Sequence, residues 1–219
     1  MRFLANRRAA LLLALLLLSS QSALAEVTLP AIIGSHMVLE SGMPLTIWGW
    51  ADAGEEVSIA IGDVKAHAKA DANGDWLVKL PPISASAEPR EMTVSGMNTI
   101  KLTDILVGEV WIGSGQSNME WLVAKSDKAT EEIAAANYPQ LRLFLVPQAP
   151  AGTPAKNVNA AWTVCTPDTV KSFSAVCYFF GRDLHKSLNV PVGMIASSWG
   201  GTAIQPWIPP AGYDGVPEL

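Results

Sequence analysis

The sequence predicts a mixed α/β chain, with a small antiparallel β-sandwich over residues 26–104 and the first part of an α/β domain over residues 105–219. Two observations support this division. Before residue 104, short runs of branched and aromatic residues are separated by turn residues about every 8–12 positions. After it, apolar strand-like runs alternate with helical patterns, which is typical of a mostly parallel sheet.

Residues 1–25 have the pattern of a secretory signal peptide. Arg2, Arg7 and Arg8 precede a leucine-rich run, and the small residues Ala23 and Ala25 follow it. The run is shorter than the ~20 apolar residues that a membrane-spanning helix needs. We therefore expect a periplasmic or extracellular protein with no membrane span after signal cleavage. A retained N-terminal anchor is the alternative.

The first part of the mature chain contains five expected strands. Turn sequences rich in Gly, Pro and Asn separate them, and Asn73-Gly74 is typical of a hairpin. Apolar and polar residues alternate in one run, which indicates a half-exposed strand. The expected strands are 45–50, 57–61, 64–69 (the alternating run), 76–80 and 92–94.

The second part mixes strands with helices. Continuous apolar runs at 105–112, 141–146 and 192–196 suit strands that are covered on both faces. Helices are expected after Ser117, over 127–135, and after a capping Ser172. The last helix carries an apolar stripe at helical spacing, formed by Phe173, Val176, Cys177, Phe180, Leu184 and Leu188.

Composition excludes some classes of partner. Charged residues make up 16% of the chain, the formal net charge is −5, and the sequence contains no basic run. These features argue against a nucleic-acid partner. Its two cysteines and three histidines have no zinc-site spacing, and we expect no metal or organic cofactor. Export would permit a disulfide between Cys165 and Cys177, and two buried thiols are the alternative.

Ser117 is the strongest candidate for chemistry. It follows a buried strand and two glycines, Gly113 and Gly115, which allow a tight turn that projects the hydroxyl. The carboxyl end of such a strand faces the crevice where α/β sheets bind ligands. Free N–H groups at a helix start can also stabilise an oxyanion. An ordinary N-cap serine after a glycine turn is the alternative.

The sequence around this serine resembles a known family. Residues 115–119, Gly-Gln-Ser-Asn-Met, resemble the nucleophile block of the SGNH hydrolase superfamily in its sialate O-acetylesterase branch. Residues 106–111, the dipeptide at 120–121 and a second block at 190–202 are similar to the same branch. Residues 34–39 are similar to the β domain that precedes the catalytic part. The resemblance implies an SGNH-type, flavodoxin-like fold and covers the N-terminal portion of such an enzyme.

The resemblance also implies catalytic roles. Ser117 is the acyl-accepting nucleophile, and its own backbone N–H is one oxyanion donor. Gly201 or Gly200 is the second donor, with Gly201 slightly preferred, because glycine lets the backbone approach the acyl oxygen. A structural glycine pair in a β-turn is the alternative.

The neighbours of the nucleophile have expected supporting roles. Gly115, Gln116 and Asn118 support the nucleophile loop, the last two through hydrogen bonds. Trp199 and Trp121 line a sugar cleft or else belong to the core, since aromatic faces suit both.

The residues that would activate the serine are not found. The superfamily places an Asp-x-x-His block near its C-terminal end, and none occurs here. His36 and His67 lie in the β part, whereas His185 lies beside the helical stripe and has the wrong spacing from Asp183. We therefore expect an N-terminal fragment or truncated form of a longer esterase, inactive by itself.

The expected function is that of an exported carbohydrate O-acetylesterase. Ser117 would form an acetyl-enzyme that water hydrolyses to acetate. The resemblance favours 9-O-acetylated sialic acid, and related esterases deacetylate plant polysaccharides. A secreted, non-catalytic carbohydrate-binding protein and one half of a split esterase are the alternatives. The oligomeric state is left open.

Overall fold

A computed structural model describes residues 26–213, so the expected signal peptide at 1–25 lies outside the described residues. Ten strands form within the described part: β1 Val38–Glu40, β2 Leu45–Trp50, β3 Glu56–Ile61, β4 Val64–Lys69, β5 Asp75–Leu80, β6 Ser86–Ser95, β7 Thr99–Gly115, β8 Tyr138–Leu145, β9 Trp162–Cys165 and β10 Val192–Ser198. The α-helices there are α1 Ser117–Glu120, α2 Ala129–Ala135, α3 Pro167–Val170 and α4 Ala175–Leu188, and 3₁₀ turns occupy Val123–Lys125, Gln205–Trp207 and Pro210–Tyr213.

The structure is mixed α/β, with one large sheet and few helices. Eight strands form the large sheet in the order β4-β3-β6-β7-β10-β8-β9, with β1 added against β7. Strands β2 and β5 form a separate antiparallel pair. Within the described residues, no helix is long and apolar enough to cross a membrane.

Strand β7 runs through both parts of the chain. Its first half pairs antiparallel with β6, and its second half pairs parallel with β10. The strand predicted at 105–112 is therefore longer at both ends, because each half completes a ladder with a different neighbour. The predicted boundary after residue 104 falls inside β7, and the division into two domains stays a prediction.

The antiparallel strands of the first part agree with the sequence pattern to within about a residue, except that β6 is much longer than the predicted run at 92–94. Side chains of both sheets meet in one hydrophobic core, where Ile47 and Val78 of the β2–β5 pair join Ile59 and Val94 of the large sheet. The burial of β4 alternates between half-buried and exposed, as its sequence predicts. The sandwich remains our interpretation of these two layers.

Helix α4 differs from its prediction at its start. Ser174, not Ser172, caps it, and the Ser174 hydroxyl accepts a hydrogen bond from the Cys177 N–H at 3.2 Å. The Phe173 N–H donates to the carbonyl of Val170 in the preceding turn. Phe173 thus belongs to that turn and does not begin the helix.

The buried face of α4 also differs from the predicted stripe. Ala175, Cys177, Tyr178 and Gly181 are buried, whereas Val176, Phe180 and Leu188 are each at least 44% exposed. A Cβ at Gly181 would lie 3.1 Å from the side chain of Leu141 on β8. Ala175, Cys177 and Gly181 are small residues, which let α4 approach the sheet closely. The face of the helix that allows this close packing is buried, and the wider apolar stripe is not.

The two cysteines are separate buried thiols. Burial raises the pKa of the Cys165 thiol to about 12 and also raises the pKa of Cys177. Both therefore stay protonated at neutral pH and act as small apolar core residues. Of the two alternatives that the sequence left open, the structure has the pair of thiols.

A partly buried ion pair connects the two parts of the chain. The guanidinium of Arg142 on β8 binds both carboxylate oxygens of Asp104 on β7, at 2.6 and 3.0 Å. His36, which precedes β1, contacts the same carboxylate at 2.7 Å through Nδ1. Arg142 is 4% exposed, and its hydrogen bond holds the pKa of Asp104 below its usual range. Three separate chain segments meet at this carboxylate.

Candidate active site

Ser117 lies at the carboxyl end of β7, where the chain turns into α1. Gly115 ends the strand at a φ of +146°, a backbone conformation that glycine adopts without strain. Helix α1 has four residues, and the Glu120 N–H donates to the Gln116 carbonyl at 3.0 Å. The helix that the sequence predicts after Ser117 is thus a single turn. Ser117 is exposed, as a nucleophile must be.

Gly113 does not form part of the turn. It lies inside β7, and a Cβ added there would overlap the sulfur of Cys177 on α4. The sequence suggests a turn glycine, whereas the structure shows a position where strand and helix approach too closely for a side chain. This close packing holds the strand that carries Ser117 against α4.

We expect Gly113→Ala to lower the free energy of unfolding by roughly 1–3 kcal/mol, because a methyl group must displace Cys177. Cys177→Ala removes the obstructing sulfur, so the double variant should cost less than the sum of the two single changes. Urea denaturation of the four proteins gives the coupling energy, which for residues in contact is about 0.5–3 kcal/mol. Additive effects would contradict this packing.

The second sequence block meets the first through parallel strand pairing. Strand β10 pairs with β7 from Val192 opposite Glu109 to Ser198 opposite Gly115. Both strands therefore end at the same edge of the sheet, and the Trp199 N–H donates to the Gly115 carbonyl at 2.9 Å. This pairing brings together two motifs about 80 residues apart.

The glycine pair lies directly beside the nucleophile. A Cβ at Gly200 would stand 3.5 Å from both Cα and Cβ of Ser117, so the backbone of Gly200 packs against the serine. Gly201 has a φ of +77° and open space around its Cα. The backbone conformation at position 201 favours glycine.

Glu120 is a site residue that the motif reasoning missed. Its carboxylate accepts a hydrogen bond from the backbone N–H of Gly200. The spacing of three residues places Glu120 on the same helical turn as Ser117, and this spacing could have identified it as a neighbour of the nucleophile. Its partner is 80 residues away in sequence, so only the fold reveals the contact.

The other predicted neighbours occupy varied positions. The Ser117 hydroxyl donates to the Gln116 side chain at a long 3.4 Å, and Asn118 is exposed. Trp121 lines a cavity of about 210 Å³ together with Ser117. Trp199 is half-buried.

A second cavity lies beside the nucleophile loop. Its volume is about 270 Å³, and Trp207 lines it together with Gly115 and Gln116. Sequence reasoning did not select Trp207, because it lies outside both motifs.

None of the histidines in the described part of the chain lies near Ser117. His185 Nδ1 contacts the Val190 carbonyl at 2.7 Å, before β10 begins, whereas Ser117 follows the opposite end of that parallel pair. His36 is paired with Asp104, and His67 lies on the edge strand β4. Residues 26–213 also contain no group of His, Cys, Asp and Glu side chains that could hold a metal ion. The described part of the chain therefore contains the candidate nucleophile and candidate oxyanion donors, but no histidine beside them.

Comparison with known proteins agrees with the two motifs. Sialate O-acetylesterases of Pongo abelii and Homo sapiens are each 32% identical to the chain over 222 residues, which is 90% of this chain and 42% of theirs. The solved structure of a carbohydrate acetylesterase from Xanthomonas citri matches with a TM-score of 0.82 and 36% identity, over 86% of this chain and 44% of the other. No protein-family profile matches. The chain spans less than half the length of these relatives, and over that span it belongs to the sialate O-acetylesterase family.

Proposed function

We propose that this chain is the nucleophile-bearing part of an exported serine esterase that removes O-acetyl groups from carbohydrate. The observation that carries the proposal is the packing of Gly200 against Ser117, which joins an exposed serine to a backbone segment able to donate to an acyl oxygen. The relatives named above are acetylesterases. The pattern of residues 1–25 supports export.

The proposed reaction has two steps. The Ser117 oxygen attacks the acetyl carbonyl carbon and gives up its proton to a base, and the backbone N–H groups of Ser117 and of one member of the glycine pair stabilise the oxyanion. The bond from the carbonyl carbon to the sugar oxygen then breaks, and the sugar hydroxyl leaves with a proton. Water hydrolyses the acetyl-enzyme, releases acetate and restores the serine.

We propose that the base and its supporting carboxylate come from outside the described residues. A serine hydroxyl is a weak nucleophile until a base removes its proton. We propose that these groups belong to the part of the relatives' length that this chain does not span. Among carbohydrates we favour O-acetylated sialic acid, since two of the relatives are sialate O-acetylesterases.

A hybrid enzyme tests this function. In it, the chain replaces the matched region of the Xanthomonas citri carbohydrate acetylesterase, and acetate release is measured from 9-O-acetylated sialic acid and from acetylated plant polysaccharide. We expect the hybrid to release acetate and the 219-residue chain alone to release none. A folded hybrid that binds the sugars without hydrolysing them would instead favour the non-catalytic carbohydrate-binding alternative. Hydrolysis by the chain alone would locate the base within it.

A further inference from the structure

The segment that carries the glycine pair is attached to the nucleophile turn at two consecutive positions. We define this segment, Trp199–Thr202, as the oxyanion loop. The Trp199 N–H donates to the Gly115 carbonyl, and the next N–H, that of Gly200, donates to the carboxylate of Glu120. Gly115 and Glu120 lie on either side of Ser117 in the sequence. The two bonds therefore hold the loop across the serine.

The contact with Glu120 determines which N–H groups remain free. An N–H that donates to a carboxylate is not available to an oxyanion, and a second anion at the same donor would be repelled. Within the described residues, the Gly201 N–H donates to no protein acceptor. The Thr202 hydroxyl closes the loop by donating to the Trp199 carbonyl at 2.7 Å. Of the glycine pair, Gly201 alone thus has its N–H unoccupied in a fixed loop.

From this geometry we infer that Glu120 is a positioning residue, which holds the Gly200 N–H and thereby makes the Gly201 N–H the second oxyanion donor. The inference rests on the proposed esterase function. Glu120 acts through Gly200 and needs no contact with the substrate. Its role explains why a glutamate lies one helical turn after the nucleophile. A Cβ at position 200 would stand 2.7 Å from the Glu120 Oε2 atom, so a side chain there would displace the carboxylate.

The contact can be tested without any enzyme activity. In the ¹⁵N-labelled 219-residue chain, we expect the Gly200 amide proton to be shifted downfield and protected from solvent exchange. Glu120→Ala should move it upfield and speed its exchange roughly 10- to 100-fold, the usual effect of losing a hydrogen bond to a charged group. Glu120→Gln keeps an acceptor oxygen and should retain most of the protection. Glu131→Ala, which removes an exposed carboxylate from α2, should leave Gly200 unchanged.

The Gly201 amide is the internal comparison. We expect it to exchange rapidly in all four proteins, because its N–H has no protein acceptor. An unchanged Gly200 amide in Glu120→Ala, or a protected Gly201 amide in the unaltered chain, would overturn the assignment.

Kinetics of the hybrid enzyme separate positioning from substrate binding. A displaced donor lowers kcat with little change in KM, since it acts on the transition state. We expect Glu120→Ala to lower kcat about 100-fold, the typical effect of a misplacement of about 1 Å, and Glu120→Gln to restore most of the loss. Equal kcat values for Glu120→Ala and the unaltered hybrid would refute positioning. If the unaltered hybrid is inactive, the proposed function fails, whereas the Gly200 amide still decides the role of Glu120 in holding the loop.

Discussion

Replacing Ser117 with alanine in the hybrid enzyme is expected to lower kcat by roughly 10⁴- to 10⁶-fold and to abolish labelling by a fluorophosphonate probe. Without Ser117 there is no serine oxygen to accept the acetyl group. The only catalysis left then comes from binding of the transition state by the rest of the site. Acetate release measures the first effect, and mass spectrometry of the labelled peptide measures the second. Because no histidine lies near Ser117 in the described residues, the 219-residue chain alone should label weakly or not at all.

Ser114 provides the matched control. It is also exposed, lies three residues before Ser117 and occupies the end of the same strand. Ser114→Ala should leave both labelling and turnover close to those of the unaltered hybrid. Labelling that survives Ser117→Ala, or that disappears in Ser114→Ala, would show that the nucleophile has been assigned to the wrong serine.

Replacing Asp104 with alanine is expected to have the largest effect on stability, about 3–5 kcal/mol of unfolding free energy. That is the usual cost of leaving a buried charge, here that of Arg142, without its partner. Arg142 is 4% exposed and would keep its charge with no carboxylate to receive two of its N–H groups. Urea denaturation measures the loss, which is large against a typical total stability of about 5–15 kcal/mol.

Two further variants separate the causes of this loss. Asp104→Asn retains an acceptor oxygen and suits the φ of +56° at this position, so it should cost less than alanine. Glu91→Ala removes a carboxylate from an exposed pair with Lys101 and should cost at most about 1 kcal/mol. If Asp104→Ala costs no more than Glu91→Ala, the buried pair does not stabilise the fold.

The same pair predicts how stability depends on pH. The hydrogen bond that Arg142 donates lowers the pKa of Asp104 in the folded state. The stabilisation is therefore complete above the unfolded pKa of about 3.9 and is lost as pH falls through the lower folded value. Asp104→Asn has no carboxyl group to titrate, so the stability difference between it and the unaltered chain should shrink on acidification below about pH 4. A difference that does not depend on pH would contradict the ion pair.

Much of the local structure could be predicted from neighbouring residues. Strands β2 and β4 lie where alternation and turn residues predicted them, because period-two patterning and turn chemistry act over a few residues. The position of Ser117 after a buried strand and Gly115 is local for the same reason.

Contacts between distant segments could not be predicted in this way. Helix α4 buries Cys177 and Gly181 against the sheet and leaves Phe180 exposed, because close approach to β8 and β10 outweighed the apolar stripe. The two cysteines are free, buried thiols, which their spacing along the chain does not reveal.

By itself, the sequence determined the family motifs, most strand positions and the identity of the candidate nucleophile, since each depends on residues close together in the chain. The tertiary structure decided how Glu120 holds Gly200, how Asp104 joins Arg142, and where His185 lies relative to Ser117. The physical reason is that these contacts are between groups 38 to 80 residues apart, or depend on the direction of a parallel strand pair. Pairing of β7 with β10 aligns the two sequence blocks at one edge of the sheet, and no local pattern specifies that register.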